Sequence, residues 1–131
     1  MGQKILGFRD LNVYQRAYEA SITVMTELAP KLPHSERHDL KDQLSRSAKA
    51  IPRLIAEGYA KRNQVKGFQK YLVDALGECN EIQVSLNHCR DLYSSFLDKK
   101  LCDDLDKGYD IIGKQLYRLS ESWTRVKGNT S

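Results

Sequence analysis

The chain predicts an all-α fold, an antiparallel up-down-up-down four-helix bundle. Three observations carry it. The stretch Val65, Phe68, Leu72, Ala75, Cys79, Ile82, Leu86, Cys89, Tyr93, Phe96 alternates steps of three and four without a break. That period of about 3.5 residues belongs to helices packed side by side, knobs into holes. Three further stretches carry apolar stripes at helical spacing, and short loops separate them, as a bundle requires. With 131 residues and 29% charged residues, the chain is long enough for one domain with a real core.

The elements follow in order, as a single domain over 1–131 with helices at about 11–29, 36–62, 64–94 and 99–126. The first seven residues read as a frayed tail. Asp10 suits the N-cap of helix one, which carries Leu11, Tyr14, Tyr18, Met25 and Leu28, with Val13, Ala17 and Val24 on a flanking face. So wide a stripe is more than one antiparallel neighbour hides and calls for an extra contact. Pro30 and Pro33 bracket the first loop, since each disfavours helix at the residue before it. Helix two starts near Ser35, with Glu36 and Asp39 at the positive end of its dipole. Leu40, Leu44, Ala48, Ile51, Ile55 and Gly58 face inward, and Pro52 predicts a kink near Lys49 to Pro52 rather than a break.

Asn63 is the expected cap of helix three, whose seam runs from Val65 to Phe96. Gln69, Lys70, Asp74, Glu78, Gln83 and Asn87 lie largely off that seam. Asp98 is placed to cap helix four, which carries Leu101, Leu105, Ile112, Leu116, Leu119 and Trp123 and ends near Val126 before a polar tail. Gly58, Gly67, Gly77, Gly108 and Gly113 all fall inside helices, where glycine costs roughly 1 kcal/mol against alanine, so close helix contacts are expected there.

Composition narrows the function. A net charge of +4 is compatible with nucleic acid or anionic surfaces, and also with an ordinary soluble protein. Three cysteines, two on the seam, read as buried free thiols of a reducing compartment. No signal peptide, myristoylation signal or membrane span is expected, so the expected location is the cytoplasm.

Metal and catalytic patterns are absent at the level of spacing. His34, Glu36 and His38 do not follow the zinc-helix order, and no Glu-x-x-His pair suits a di-iron bundle. The acids Asp103, Asp104 and Asp106 suit the start of helix four by its dipole. No nucleophile stands with a base, and no phosphate loop occurs. No enzyme, metal or cofactor is expected. Glu57 and Glu81 flank the apolar stripes of helices two and three. They are either solvated flank residues or inward carboxylates that need donors such as Arg46, Arg53 or a tyrosine hydroxyl.

Arg46, Lys49 and Arg53 recur at three and four opposite the apolar stripe of helix two, and Lys61, Arg62, Lys66 and Lys70 add charge around the next turn. The ridge is either a solvated helix face or a phosphate-binding surface. Repeating it in an oligomer multiplies the contacts to phosphate.

The stretch SRSAKAIPRLIAEGYAKRN resembles the signature of bacterial four-helix proteins encoded in 23S ribosomal RNA intervening sequences. The lead-in is Pro33, Glu36, Leu40 and Gln43, and the core is Ile51, Pro52, Ile55, Ala56, Glu57 and Gly58. The opening FRDLNVYQRA and the later YLVDALGECNE, through Leu72, Ala75, Gly77 and Glu81, match further family segments, so the likeness spans about residues 8 to 126. Ala50, Leu54 and Glu78 stand where the family usually has Ser, Asn and Ser. The resemblance implies a ring, commonly a homopentamer, and the wide face of helix one (Val13, Tyr14, Ala17, Val24) fits its interface. The chain is also similar to accessory proteins of diversity-generating retroelements, which bind nucleic acid and engage a reverse transcriptase. The leading expectation is a non-enzymatic oligomer that contacts RNA or DNA, with structured RNA preferred, through the seven basic residues. The alternative is an oligomeric adaptor, for example for a reverse transcriptase, without direct nucleic-acid binding.

Overall fold

The computed structural model describes residues 4–130, and side chains up to Trp123. Four α-helices form it: α1 Asn12–Thr23, α2 Leu40–Ala60, α3 Val65–Leu92 and α4 Lys99–Thr130, with no strand among the described residues. α3 packs along both α2 and α4, while α1 closes the square between α2 and α4, diagonal to α3. The seam residues of α3 from Phe68 to Cys89 are all buried, and so is every predicted inward position of α2. Pro52 sits inside an uninterrupted α2 and is itself buried.

Several details differ from the sequence expectation, each for a local reason. α1 passes at its end into a π-turn over Val24–Leu28 and a 3-10 turn over Ala29–Lys31. The widened turn lets Val24, Leu28 and Ala29 all reach the core. Asp10 does not cap α1. It closes a 3-10 turn over Phe8–Asp10, accepting the Leu6 and Gly7 N–H groups at 2.8 and 3.1 Å. Residues 1–3, part of the expected frayed tail, lie outside the described residues. α2 starts at Leu40 rather than near Ser35, because residues 34–36 form a separate 3-10 turn. Gln64, not Asn63, occupies the N-cap of α3. Asp98 does cap α4, with Oδ1 accepting the Lys100 N–H at 2.9 Å. The α4 backbone stays helical to Thr130, past the end expected near Val126.

Core membership also shifts. Phe96 is exposed in the α3–α4 turn, edge-on to Tyr93, and Leu97 is buried in its place. α4 buries Cys102 and Tyr109, which the predicted stripe left out. Close approach explains Gly58, where an added Cβ would meet the Tyr71 Cβ at 2.8 Å, and Gly113, where it would meet Leu76 Cδ1 at 3.1 Å. It does not explain Gly77 or Gly108, which have open space above them.

Polar ties join the helices. Tyr93 donates its hydroxyl to Glu36 Oε2, and Glu36 Oε1 accepts the Leu40 N–H at 3.1 Å, so the Glu36 carboxyl is held below its usual range. Gln83 Nε2 donates to Asp106 Oδ1 at 3.0 Å, linking α3 to α4. Trp123 Nε1 donates to the Arg62 carbonyl at 2.7 Å, and its ring meets Phe68 edge-on at 4.9 Å. No helix is long and apolar enough to cross a membrane, among the described residues.

Candidate functional site

The basic residues fall into two places. Arg46, Lys49 and Arg53 project from successive turns of α2 and are all exposed. Lys61 and Arg62 lie in the α2–α3 turn, with Lys66 and Lys70 one turn apart on the start of α3. Eight residues at about 1.5 Å each set Arg53 roughly 12 Å along the axis from Lys61, so these are two neighbouring patches. Carboxylates temper the ridge. Arg46 Nε lies 3.1 Å from Asp42 and Arg53 Nε 3.9 Å from Glu57, both spaced i,i+4 and exposed. Such pairs hold weakly and exchange readily for other anions. Arg62 is half-buried and engaged: its guanidinium donates to the Tyr59 carbonyl at 3.0 Å and stacks on the Tyr59 ring at 4.3 Å. It serves the helix end more than a ligand.

Lys49 and Arg53 have a further setting. They line a groove of about 400 Å³ between α1 and α2, with Phe8, Tyr14, Tyr18 and Ile22 on its other wall. Phe8 and Tyr14 meet edge-on at 4.9 Å, and Tyr14 and Tyr18 stack at 6.0 Å between centroids. Tyr18 is 49% exposed. Tyr14 and Tyr18 belong to the apolar stripe that the sequence predicts for helix one. Their spacing one turn apart, next to the basic ridge, was the available signal for a surface role.

The assignment of helix one to an oligomer interface is corrected. Val13, Ala17 and Val24 are buried within the protomer's own core, and Tyr14 is half-buried. In a closed square each helix has two neighbours, so the wide stripe of α1 is used up by α2 and α4. The large apolar side chains that α1 leaves outward are Tyr18 and Ile22.

Glu57 and Glu81 are both exposed, which selects the solvated reading for each. Glu78, at a position where the family usually carries Ser, is the more constrained carboxylate. It is half-buried, and its pKa is raised first by desolvation and then by the neighbouring Glu81 charge. The acids of α4 are occupied structurally: Asp103 meets Arg90 at 2.9 Å, Asp104 meets Lys100 at 3.0 Å, and Asp106 takes Gln83. All three cysteines are buried and free, and burial pushes the Cys79 and Cys89 thiols up to about 12, out of reach of nucleophilic chemistry at neutral pH. Among the described residues no three His, Cys, Asp or Glu side chains converge as a metal site.

The fold and its motifs agree with one family model, described as 23S rRNA-intervening sequence protein, which matches residues 9–118. The chain belongs to that family. The match covers all of α1 to α3 and most of α4, so the family's defining features are those of the bundle itself. No curated protein and no solved structure matches the chain.

Proposed function

We propose that this intervening-sequence family member is a non-enzymatic nucleic-acid-binding protein that acts as an oligomer and contacts looped segments of structured RNA. One observation carries the reading: Lys49 and Arg53 stand across a groove from Phe8, Tyr14 and Tyr18. Cations opposite aromatic rings that are exposed at Tyr18 and half-buried at Phe8 and Tyr14 suit a strand whose phosphates meet the cations while unstacked bases lie on the rings. The exposed amines of Lys61, Lys66 and Lys70 extend the positive surface around the α2–α3 turn. In an oligomer, a homopentamer by family resemblance, the groove repeats and the phosphate contacts multiply. The exposed apolar Val73 of α3 offers a contact for such assembly, in place of the buried α1 residues.

The test is binding of purified protein to a structured RNA and to duplex DNA across a salt series, with the oligomer mass followed by light scattering. Affinity should fall by orders of magnitude between about 50 and 200 mM salt, and Lys49→Glu with Arg53→Glu should weaken binding and flatten that slope. Tyr18→Ala should weaken binding without changing the slope, as lost stacking does. Binding indifferent to salt and to these substitutions would overturn the reading.

The adaptor reading, with a reverse transcriptase or another enzyme as partner, is favoured by the exposed apolar side chains Tyr18, Ile22, Val73 and Val84. A stable protein partner captured from nuclease-treated lysate, lost on Ile22→Lys or Val84→Lys, would move the role to that surface.

A further inference from the structure

The α2–α3 seam opens, toward the start of α2, into a second groove of about 570 Å³, lined by Gln43, Arg46 and Ser47 on one side and Glu78, Glu81, Val84, Ser85 and His88 on the other. That volume is in the range of small-ligand sites. The lining has a regular origin. Glu78, Glu81, Ser85 and His88 each precede a seam residue by one position: Cys79, Ile82, Leu86 and Cys89. A polar flank therefore runs beside the apolar seam for three turns of α3 and faces the polar edge of α2.

Carboxylates dominate the groove, although the Arg53 charge also reaches Glu78 and partly offsets its shift. Glu78 and Glu81 are close enough to repel, and Glu78 is held partly out of water. The nearest hydroxyl help is Ser47, which is 5% exposed and hydrogen-bonds Glu78. Arg46 lines the rim, yet its guanidinium turns to Asp42 at 3.1 Å instead of to the pair. Ser85 is 4% exposed and lines the same groove. Two carboxylates and the Ser85 side chain thus face a space of ligand size. An occupant that supplies hydrogen-bond donors suits this acceptor-rich lining.

We propose that this groove binds an organic cation, a guanidinium or primary ammonium group, held between the Glu78 and Glu81 carboxylates with Ser47 and Ser85 as neutral hydrogen-bond partners. A guanidinium presents a planar fork of N–H donors that two carboxylates can accept together, and these charge-assisted bonds are the strong kind. The same pair of carboxylates repels phosphate, so this groove is distinct in ligand and in location from the Lys49–Arg53 groove on the α1 side of α2. The cation arrives either free, as a small amine, or on an arginine or lysine side chain of a polypeptide.

The experiment is an amide-resolved NMR titration of the full ¹⁵N-labelled chain with agmatine, and separately with a capped Gly-Arg-Gly peptide, at constant ionic strength. Saturable shifts should cluster at residues 43–47 and 78–88. Glu78→Gln with Glu81→Gln should weaken binding about tenfold or more without loss of helicity. Ser85→Ala should weaken it while leaving the charge unchanged, which separates a built site from general attraction to acids. Agmatine bound far more tightly than the peptide marks a free cation as the ligand, and equal affinity marks a side chain. Shifts spread over Asp103, Asp104 and Asp110, or binding unchanged in the doubly neutralised variant, would overturn the proposal. RNA binding reads out through Lys49 and Arg53, so failure of one reading leaves the other standing.

Discussion

The two stretches of the α2–α3 seam are built on the same helices and differ completely. Toward the α2–α3 turn, Gly58 lets the helices approach until a methyl group would not fit against Tyr71, and Phe68 is buried there against the Trp123 ring. Toward the start of α2, Ser47 faces Glu78, and the helices enclose a groove. Small size closes the seam at Gly58 because nothing polar needs room. At Ser47 and Ser85, equally buried, size is small but the carboxylates beside them carry charge, and the seam stays open. Tightness here follows polar demand rather than side-chain volume.

If the closed stretch holds the bundle together, its loss should cost the most. Phe68→Ala should destabilise the protein by about 3–5 kcal/mol, as truncation of a fully buried aromatic does. Urea unfolding reads this directly, and a loss under about 1 kcal/mol would mean that the closed end is ordinary surface packing.

Glycines sharpen the contrast through a change of sign. Gly58→Ala places a Cβ 2.8 Å from the Tyr71 Cβ, and two Cβ atoms can separate only if backbone moves. Overpacking outweighs the gain in helix propensity, for a net loss of about 1–2 kcal/mol. Gly77→Ala meets nothing within 4 Å and should instead stabilise by about 0.5–1 kcal/mol. Equal effects of the two in denaturant melts would remove close approach as the reason for Gly58.

The closed stretch was legible in the sequence and the open one was not. The three-four rhythm from Phe68 to Cys89 marks buried positions because apolar residues recur there. Ser47, Glu78 and Ser85 sit one position aside, where polar residues normally meet water, and periodicity reports direction without depth. Depth depends on how near the opposite helix comes, which here is set by Gly58 and Phe68 well over a turn away. The width of the α1 stripe misled in the same manner: Val13, Ala17 and Val24 were legible as apolar, but not which neighbour covers them. Asp10, read as a cap, was a turn residue because only backbone geometry distinguishes the two uses. The basic ridge was legible in full, whereas its pairing with Asp42 and Glu57 and the aromatic wall opposite Lys49 required the packed helices.

The smallest effect tests the comparison most sharply, through two glutamates near the same end of α2. Glu36 accepts hydrogen bonds from Tyr93 and the Leu40 N–H, and its carboxyl is held down; Glu78 is desolvated beside Glu81, and its carboxyl is pushed up. A carboxyl lowered by folding adds stability that is present above the unfolded value and lost as pH falls through the folded one. A raised one does the reverse: its ionisation favours the unfolded chain, so stability drops as pH climbs from the unfolded value through the folded one. Glu36→Gln should therefore lower the melting temperature at pH 7, and Glu78→Gln should raise it slightly. In acid, below the folded values, both carboxyls are protonated and both variants should approach the wild-type curve from opposite sides. A Glu78→Gln protein that melts lower at pH 7 would mean that Arg53, whose charge already reaches this carboxylate, outweighs its desolvation. The groove would then be a satisfied part of the fold, and the difference between the two stretches of seam would reduce to width alone.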